Sequence, residues 1–98
     1  MNLEKLIAEK KGSIVDVRSF AEFNGAHAAE SINIPLQELS LRMNELKALP
    51  SPLLLCCASG TRSGMAAQLL SKEGIECMNA GSWMDVNYLQ AQASLHQK

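Results

Sequence analysis

The sequence predicts an α/β fold, one mostly parallel central sheet with helices on both faces. Three observations predict it. Short apolar runs alternate with stretches of helical periodicity along the whole chain. The run Leu53-Leu54-Leu55-Cys56 is apolar at every position, as suits a parallel strand covered on both faces. Gly and Pro punctuate the junctions, at Gly12, Gly25, Pro35, Pro50, Pro52 and Gly74. With 98 residues the chain is read as one domain over 1–98. Its core spans about 12–88, and 90–98 form a polar, frayed tail.

The elements follow in order. Residues 3–11 read as a short helix, with Leu3, Leu6 and Ile7 on one face and Gly12 as the stop. Ile14 to Val17 is a buried strand interrupted by Asp16. Ser19 to Glu22, "SFAE", has the form of a capping box, so a brief helix follows with Phe23 inward and Gly25 ending it. Ile32 to Ile34 is a strand stopped by Pro35. Leu36, Leu39, Met43 and Leu46 recur at helical spacing as far as Pro50. Leu53 to Cys56 is the central strand. From Arg62 to Glu73 the stripe Met65, Ala66, Leu69 and Leu70 marks a helix that Gly74 terminates. Ile75 to Met78 is a last strand, "NAGSW" a turn, and a final helix runs from Ser82 to about Leu89.

Composition removes several function classes. The net charge of −1 offers no basic excess for nucleic acid. No apolar run approaches the ~18 residues of a membrane span, and the N-terminus lacks the apolar core of a signal peptide. A cytoplasmic location without membrane contact is therefore expected. The 3 cysteines are an odd number and do not form a disulfide framework. His27 and His96 lie far apart and no C-x2-C pair exists, so no metal is expected.

The chemistry concentrates in "LLLCCASGTRSG", Leu53 to Gly64. Arg62 closes a C-x5-R loop counted from Cys56 and a C-x4-R loop counted from Cys57. The segment joins a buried strand to a helix start, where open α/β sheets place their ligand sites. Ala58, Ser59, Gly60 and Thr61 are small, which lets backbone amides curl inward and bind an anion at a helix N-terminus. The same field lowers the pKa of a cysteine, and Arg62 adds a permanent charge and a forked donor. A thiolate so placed is a nucleophile toward an anionic substrate. Cys56, at the end of the apolar run, and Cys77 read instead as small buried hydrophobes.

These residues carry a resemblance. "CASGTRS", Cys57 to Ser63, resembles the C-x-x-G-x-R-[ST] active loop of the rhodanese family of sulfurtransferases. "IVDVRSFAEFNGAHAAESINIPLQEL", Ile14 to Leu39, is similar to the family's D-V-R…E-F…G-H…A-x-N-I-P segment. "MNAGSWMDV", Met78 to Val86, resembles the closing segment of small rhodaneses of the phage-shock type. The resemblance implies that Cys57 takes sulfur from a small anionic donor such as thiosulfate, forms a persulfide, and yields the sulfur to cyanide, a thiol or a protein acceptor. It implies that Ala58, Ser59, Gly60, Thr61, Arg62 and Ser63 cradle the charge. It also implies that Asp16 lies near the loop and that no metal or organic cofactor is needed; Arg18 is taken to pair with Glu22 four residues on. His27 is read as a turn-stabilising side chain, Trp83 as packing at the mouth of the site, and the chain as a monomer.

Two positions depart from the family pattern. Ala58 stands where many members have Arg, which weakens the pull on dianionic thiosulfate. Ser82 replaces a common second Gly. Three other readings are open. Cys56 in a C-x5-R loop suits a phosphatase or arsenate reductase, but Gly60 is placed for the shorter loop, Leu55 stands where His is frequent, and only Asp85 is a nearby acid. The domain could be a persulfide carrier or interaction module without turnover. The vicinal cysteines could exchange with each other, although neighbours in a strand point to opposite faces.

Overall fold

A computed structural model describes residues 2–96. Its element order is α1 (Leu3–Ala8), β1 (Ser13–Asp16), α2 (Phe20–Gly25), β2 (Ile32–Asn33), a 3-10 helix (Leu36–Arg42), α3 (Met43–Ala48), β3 (Leu53–Cys57), α4 (Thr61–Lys72), β4 (Cys77–Ser82) and α5 (Trp83–His96). The four strands pair in the order β2-β1-β3-β4, and every pairing is parallel.

Alternation along β3 sorts the core into two layers. Leu53, Leu55 and Cys57 point to the face covered by the 3-10 helix, α3 and α4, where they meet Leu39, Leu46, Ala66 and Leu70. Leu54 and Cys56 point to the other face, against Ile7 of α1 and Val86 of α5. All five residues of β3 are buried, which is why every position is apolar.

Several boundaries differ from the sequence expectations. α1 ends at Ala8 because Lys10 enters left-handed backbone (φ 55°) and the Lys11 amide closes onto the Leu6 carbonyl at 2.9 Å. The capping box of α2 forms as expected: Ser19 Oγ accepts from the Glu22 amide, and Glu22 accepts from the Ser19 amide. Phe23 is not turned into the core. α2 has no buried residue, and the ring stacks on His27 with centroids 3.9 Å apart.

β4 begins two residues later than expected and runs through "NAGS", which is strand and not turn. A bulge places Asn79 opposite Leu55 and Gly81 opposite Cys56, leaving Ala80 as the extra residue. The segment read as a frayed tail is helical as far as His96. Gln90 Nε2 donates to the Ala29 carbonyl at 2.9 Å, and Leu89 packs against the buried cluster that includes Ile7, Leu54 and Val86. Residues 97–98 of that segment lie outside the described residues. Met84 on α5 is exposed. Among the described residues no helix is long and apolar enough to cross a membrane.

Candidate active site

The strand order creates a switch point. The chain leaves β1 toward β2 on one side and leaves β3 toward β4 on the other. The loops after β1 and β3 therefore diverge and open a crevice at the carboxyl ends of the strands. Cys57 is the last residue of β3, inside the strand and not the first residue of the loop. A separate cleft of about 350 Å³, lined among others by Leu6, Ile14, Leu54 and Gln90, contains no residue of the 57–63 loop.

The Cys57 side chain is 1% exposed. The Gly60 amide donates to its Sγ at 3.0 Å, and Ser63 Oγ lies 3.4 Å away. Burial alone pushes the thiol up. The Ser63 hydroxyl and the amides of Ser63, Gly60 and Ser59 outweigh it and bring the pKa down to about 7. Gly60 makes this possible. It is the N-cap of α4 in left-handed backbone (φ 100°) with no side-chain cap, so the first amides of α4 are left for the sulfur. A side chain there would strain the turn. Ala58, Ser59 and Thr61 are exposed around the mouth, while Ser63 is wholly buried beneath it.

Cys56 has the opposite environment. It is buried on the α1/α5 face, and desolvation with the nearby Asp16 charge pushes its thiol up to about 12. One step along the strand thus separates a thiol with a lowered pKa from one with a raised pKa.

Asp16 and Arg18 form a buried pair at the end of β1. The Asp16 carboxylate accepts from Arg18 Nη2 at 2.8 Å, from Nε at 3.0 Å and from the Arg18 amide at 3.0 Å. Arg18 also donates to the Ala26 carbonyl and lies 4.9 Å over the Trp83 ring. The expected Arg18–Glu22 pair does not form. Arg18 precedes the N-cap Ser19, so helical i,i+4 spacing does not apply to it.

Glu22 pairs instead with Arg62. Nη1 and Nη2 of Arg62 donate to the two carboxylate oxygens at 2.7 and 3.0 Å. This contact with Arg62, joined by the Ser19 amide, holds the Glu22 carboxyl down to about 2. The Arg62 fork is therefore engaged across the crevice and is not free for an oxyanion, although its charge still acts on Cys57. His27 lies apart from these contacts; its Nδ1 is bonded to the Phe23 carbonyl at 2.8 Å.

Sequence reasoning missed Asn79. Its Nδ2 donates to the Gly60 carbonyl at 3.0 Å, and its Oδ1 accepts from Ser63 Oγ at 2.7 Å and from the Gly81 amide at 2.9 Å. The side chain thus clips both ends of the loop to the β4 bulge. Gly64 permits the approach, since a Cβ there would meet Nδ2 at 3.2 Å. The available signal was the Asn-x-Gly spacing, in which Asn bonds the backbone two residues on.

The family profile of the rhodanese-like domain matches residues 2–87. Among curated proteins, "Uncharacterized protein YqhL" of Bacillus subtilis (strain 168) is 43% identical over 65 residues, covering 66% of this chain and 51% of that protein. "Putative sulfur carrier protein YrkF" of the same organism is 36% identical over 73 residues, covering 74% and 39%. The chain thus spans about half or less of the curated relatives it matches. Among solved structures, a rhodanese-related protein from Thermoplasma volcanium superposes with a TM-score of 0.75 at 28% identity, covering 90% of this chain and 88% of that one.

Proposed function

The chain belongs to the family of rhodanese-like domains, and we propose that it acts as a sulfurtransferase carrying sulfane sulfur as a persulfide on Cys57. One observation carries this: the Cys57 Sγ takes the Gly60 amide at 3.0 Å and lies 3.4 Å from the Ser63 hydroxyl, and these groups with the amides of Ser63 and Ser59 bring the thiol pKa down to about 7. The Cys57 thiolate attacks the outer sulfur of a donor such as thiosulfate. The Sγ–S bond forms, the donor's S–S bond breaks, and its electron pair leaves with sulfite. A nucleophilic acceptor, cyanide in the test tube or a thiol in the cell, then attacks the outer sulfur and returns the pair to Sγ. This is two-step covalent catalysis, and sulfur is the only group carried.

Ala58, Ser59, Gly60, Thr61, Arg62 and Ser63 form the cradle in this reading. Their amides stabilise negative charge on the sulfur, and Arg62 supplies charge from its Glu22 anchor. Asp16 and Arg18 support the crevice from β1. Ala58 adds no charge at the mouth, which weakens the pull on dianionic thiosulfate. The relative YrkF is named as a putative sulfur carrier protein, which supports the carriage of sulfur. A monomeric cytoplasmic domain without nucleic-acid or membrane partners fits the same proposal.

The C-x5-R reading needs a reactive Cys56, and a buried thiol at about pKa 12 is a poor nucleophile. The test is thiocyanate formation from thiosulfate and cyanide. Cys57→Ser is expected to abolish it and Cys56→Ser to retain it. The reverse pattern, or aryl phosphate hydrolysis lost with Cys56→Ala, overturns the assignment.

A further inference from the structure

Ser63 has one hydroxyl proton and two neighbours able to take it. Its Oγ lies 2.7 Å from Asn79 Oδ1 and 3.4 Å from Cys57 Sγ. Backbone groups fix the orientation of the Asn79 amide. The Gly81 amide can only donate, and it faces Oδ1; the Gly60 carbonyl can only accept, and it faces Nδ2. Oδ1 is therefore an acceptor, and the Ser63 proton points at it. Ser63 then offers the sulfur only lone pairs. A thiol can use them, because S–H can donate to Oγ. A thiolate cannot, because acceptor would face acceptor. Ser63 is 0% exposed, so bulk water does not relieve the conflict.

We propose that Asn79 is a positioning residue that parks the Ser63 proton, and that ionisation of Cys57 turns this proton from Asn79 onto sulfur. The hydroxyl rotates and no proton is transferred. The consequence for unloading rests on the sulfurtransferase reading. In the persulfide the charge sits on the outer sulfur, Sγ is a poor acceptor, and the proton stays with Asn79. When an acceptor attacks the outer sulfur, the S–Sγ bond breaks and its electron pair goes to Sγ. The Ser63 proton then swings to that pair and stabilises the departing thiolate, and a better-stabilised thiolate leaves faster. The other titratable or charged groups around the loop include Cys56 on β3, Asp16 and Arg18 at the end of β1, Arg62 on α4, and Glu22 of α2, which pairs with Arg62. Asp85 of α5 stands near Gly81.

The test is a double-mutant cycle read by the pH midpoint of Cys57 alkylation with iodoacetamide, followed on the Cys57 peptide by mass spectrometry. The chains are wild type, Ser63→Ala, Asn79→Asp and the double variant. Asp holds the Ser63 proton more firmly and also adds a charge. The charge acts in both backgrounds; the grip on the proton acts only when Ser63 is present. Asn79→Asp is therefore expected to raise the midpoint more in the Ser63 chain, by about threefold or more in ionisation constant. Asn79→Leu cannot accept a proton, and its coupling with Ser63 is expected to have the opposite sign. Asn79 is exposed, which makes these variants compatible with the fold. Additive effects for both substitutions overturn the switch. Coupling without persulfide formation upholds the switch and overturns the sulfurtransferase reading; persulfide formation without coupling does the reverse.

Discussion

Removing Asp16 is expected to cost far more stability than removing an exposed carboxylate. The Asp16 and Arg18 side chains are 0% and 6% exposed, and the carboxylate takes three donors from Arg18. Asp16→Ala leaves the guanidinium buried with a carbonyl and an aromatic ring but no counter-charge. Breaking a buried pair in this way costs about 3–5 kcal/mol, against a total of about 5–15 kcal/mol for a domain. The assay is urea unfolding. With a slope of about 1.5 kcal/mol/M, the midpoint falls by about 2–3 M. Asp16→Ala combined with Arg18→Leu is expected to recover part of the loss, because the uncompensated charge is gone. A loss below about 1 kcal/mol, the range of an exposed pair, refutes the reasoning. So does a double variant no more stable than the single.

Alkylation of Cys57 is expected to rise about tenfold from pH 6 to pH 8, where an unperturbed thiol would rise about 75-fold; the steeper rise would show that the loop does not lower the pKa to about 7. The Glu22 carboxyl falls from 4.5 to about 2 in the folded state, so its contribution to stability is full above pH 4.5 and is lost as pH falls through about 2. The stability difference between wild type and Glu22→Gln is expected to close over that window in urea titrations, and a gap constant from pH 5 to pH 2 contradicts the Arg62 pair. Ala58→Arg is expected to improve the apparent affinity for thiosulfate by about fivefold or more at low salt, with the gain shrinking as salt is added; no gain, or a gain insensitive to salt, contradicts an electrostatic deficit at that position.

What could be read in the sequence was local. The capping box of α2, the four strands and the helix of α4 each depend on neighbours within a few residues, although Met65 of the expected α4 stripe is exposed. What was missed depends on distant partners. Glu22 chooses Arg62, forty positions away, because Arg18 is committed to Asp16 beneath it. "NAGS" carries turn residues, yet pairing with β3 makes it a bulged strand. The polar composition of 90–96 suggested fraying, but Ala91 and Ala93 favour helix and Gln90 ties the segment to Ala29. Asn79 has no chemistry that marks it as a site residue. It matters because the bulge aims its amide at Gly60 and Ser63.

The central claim is that Cys57 carries sulfur, and mass spectrometry tests it most directly. After treatment with thiosulfate and removal of excess donor, the peptide containing Cys57 is expected to gain about 32 Da, one sulfur atom held covalently, and to lose it on addition of cyanide. No gain on Cys57, or the same gain on Cys56 in a Cys57→Ser chain, contradicts the account.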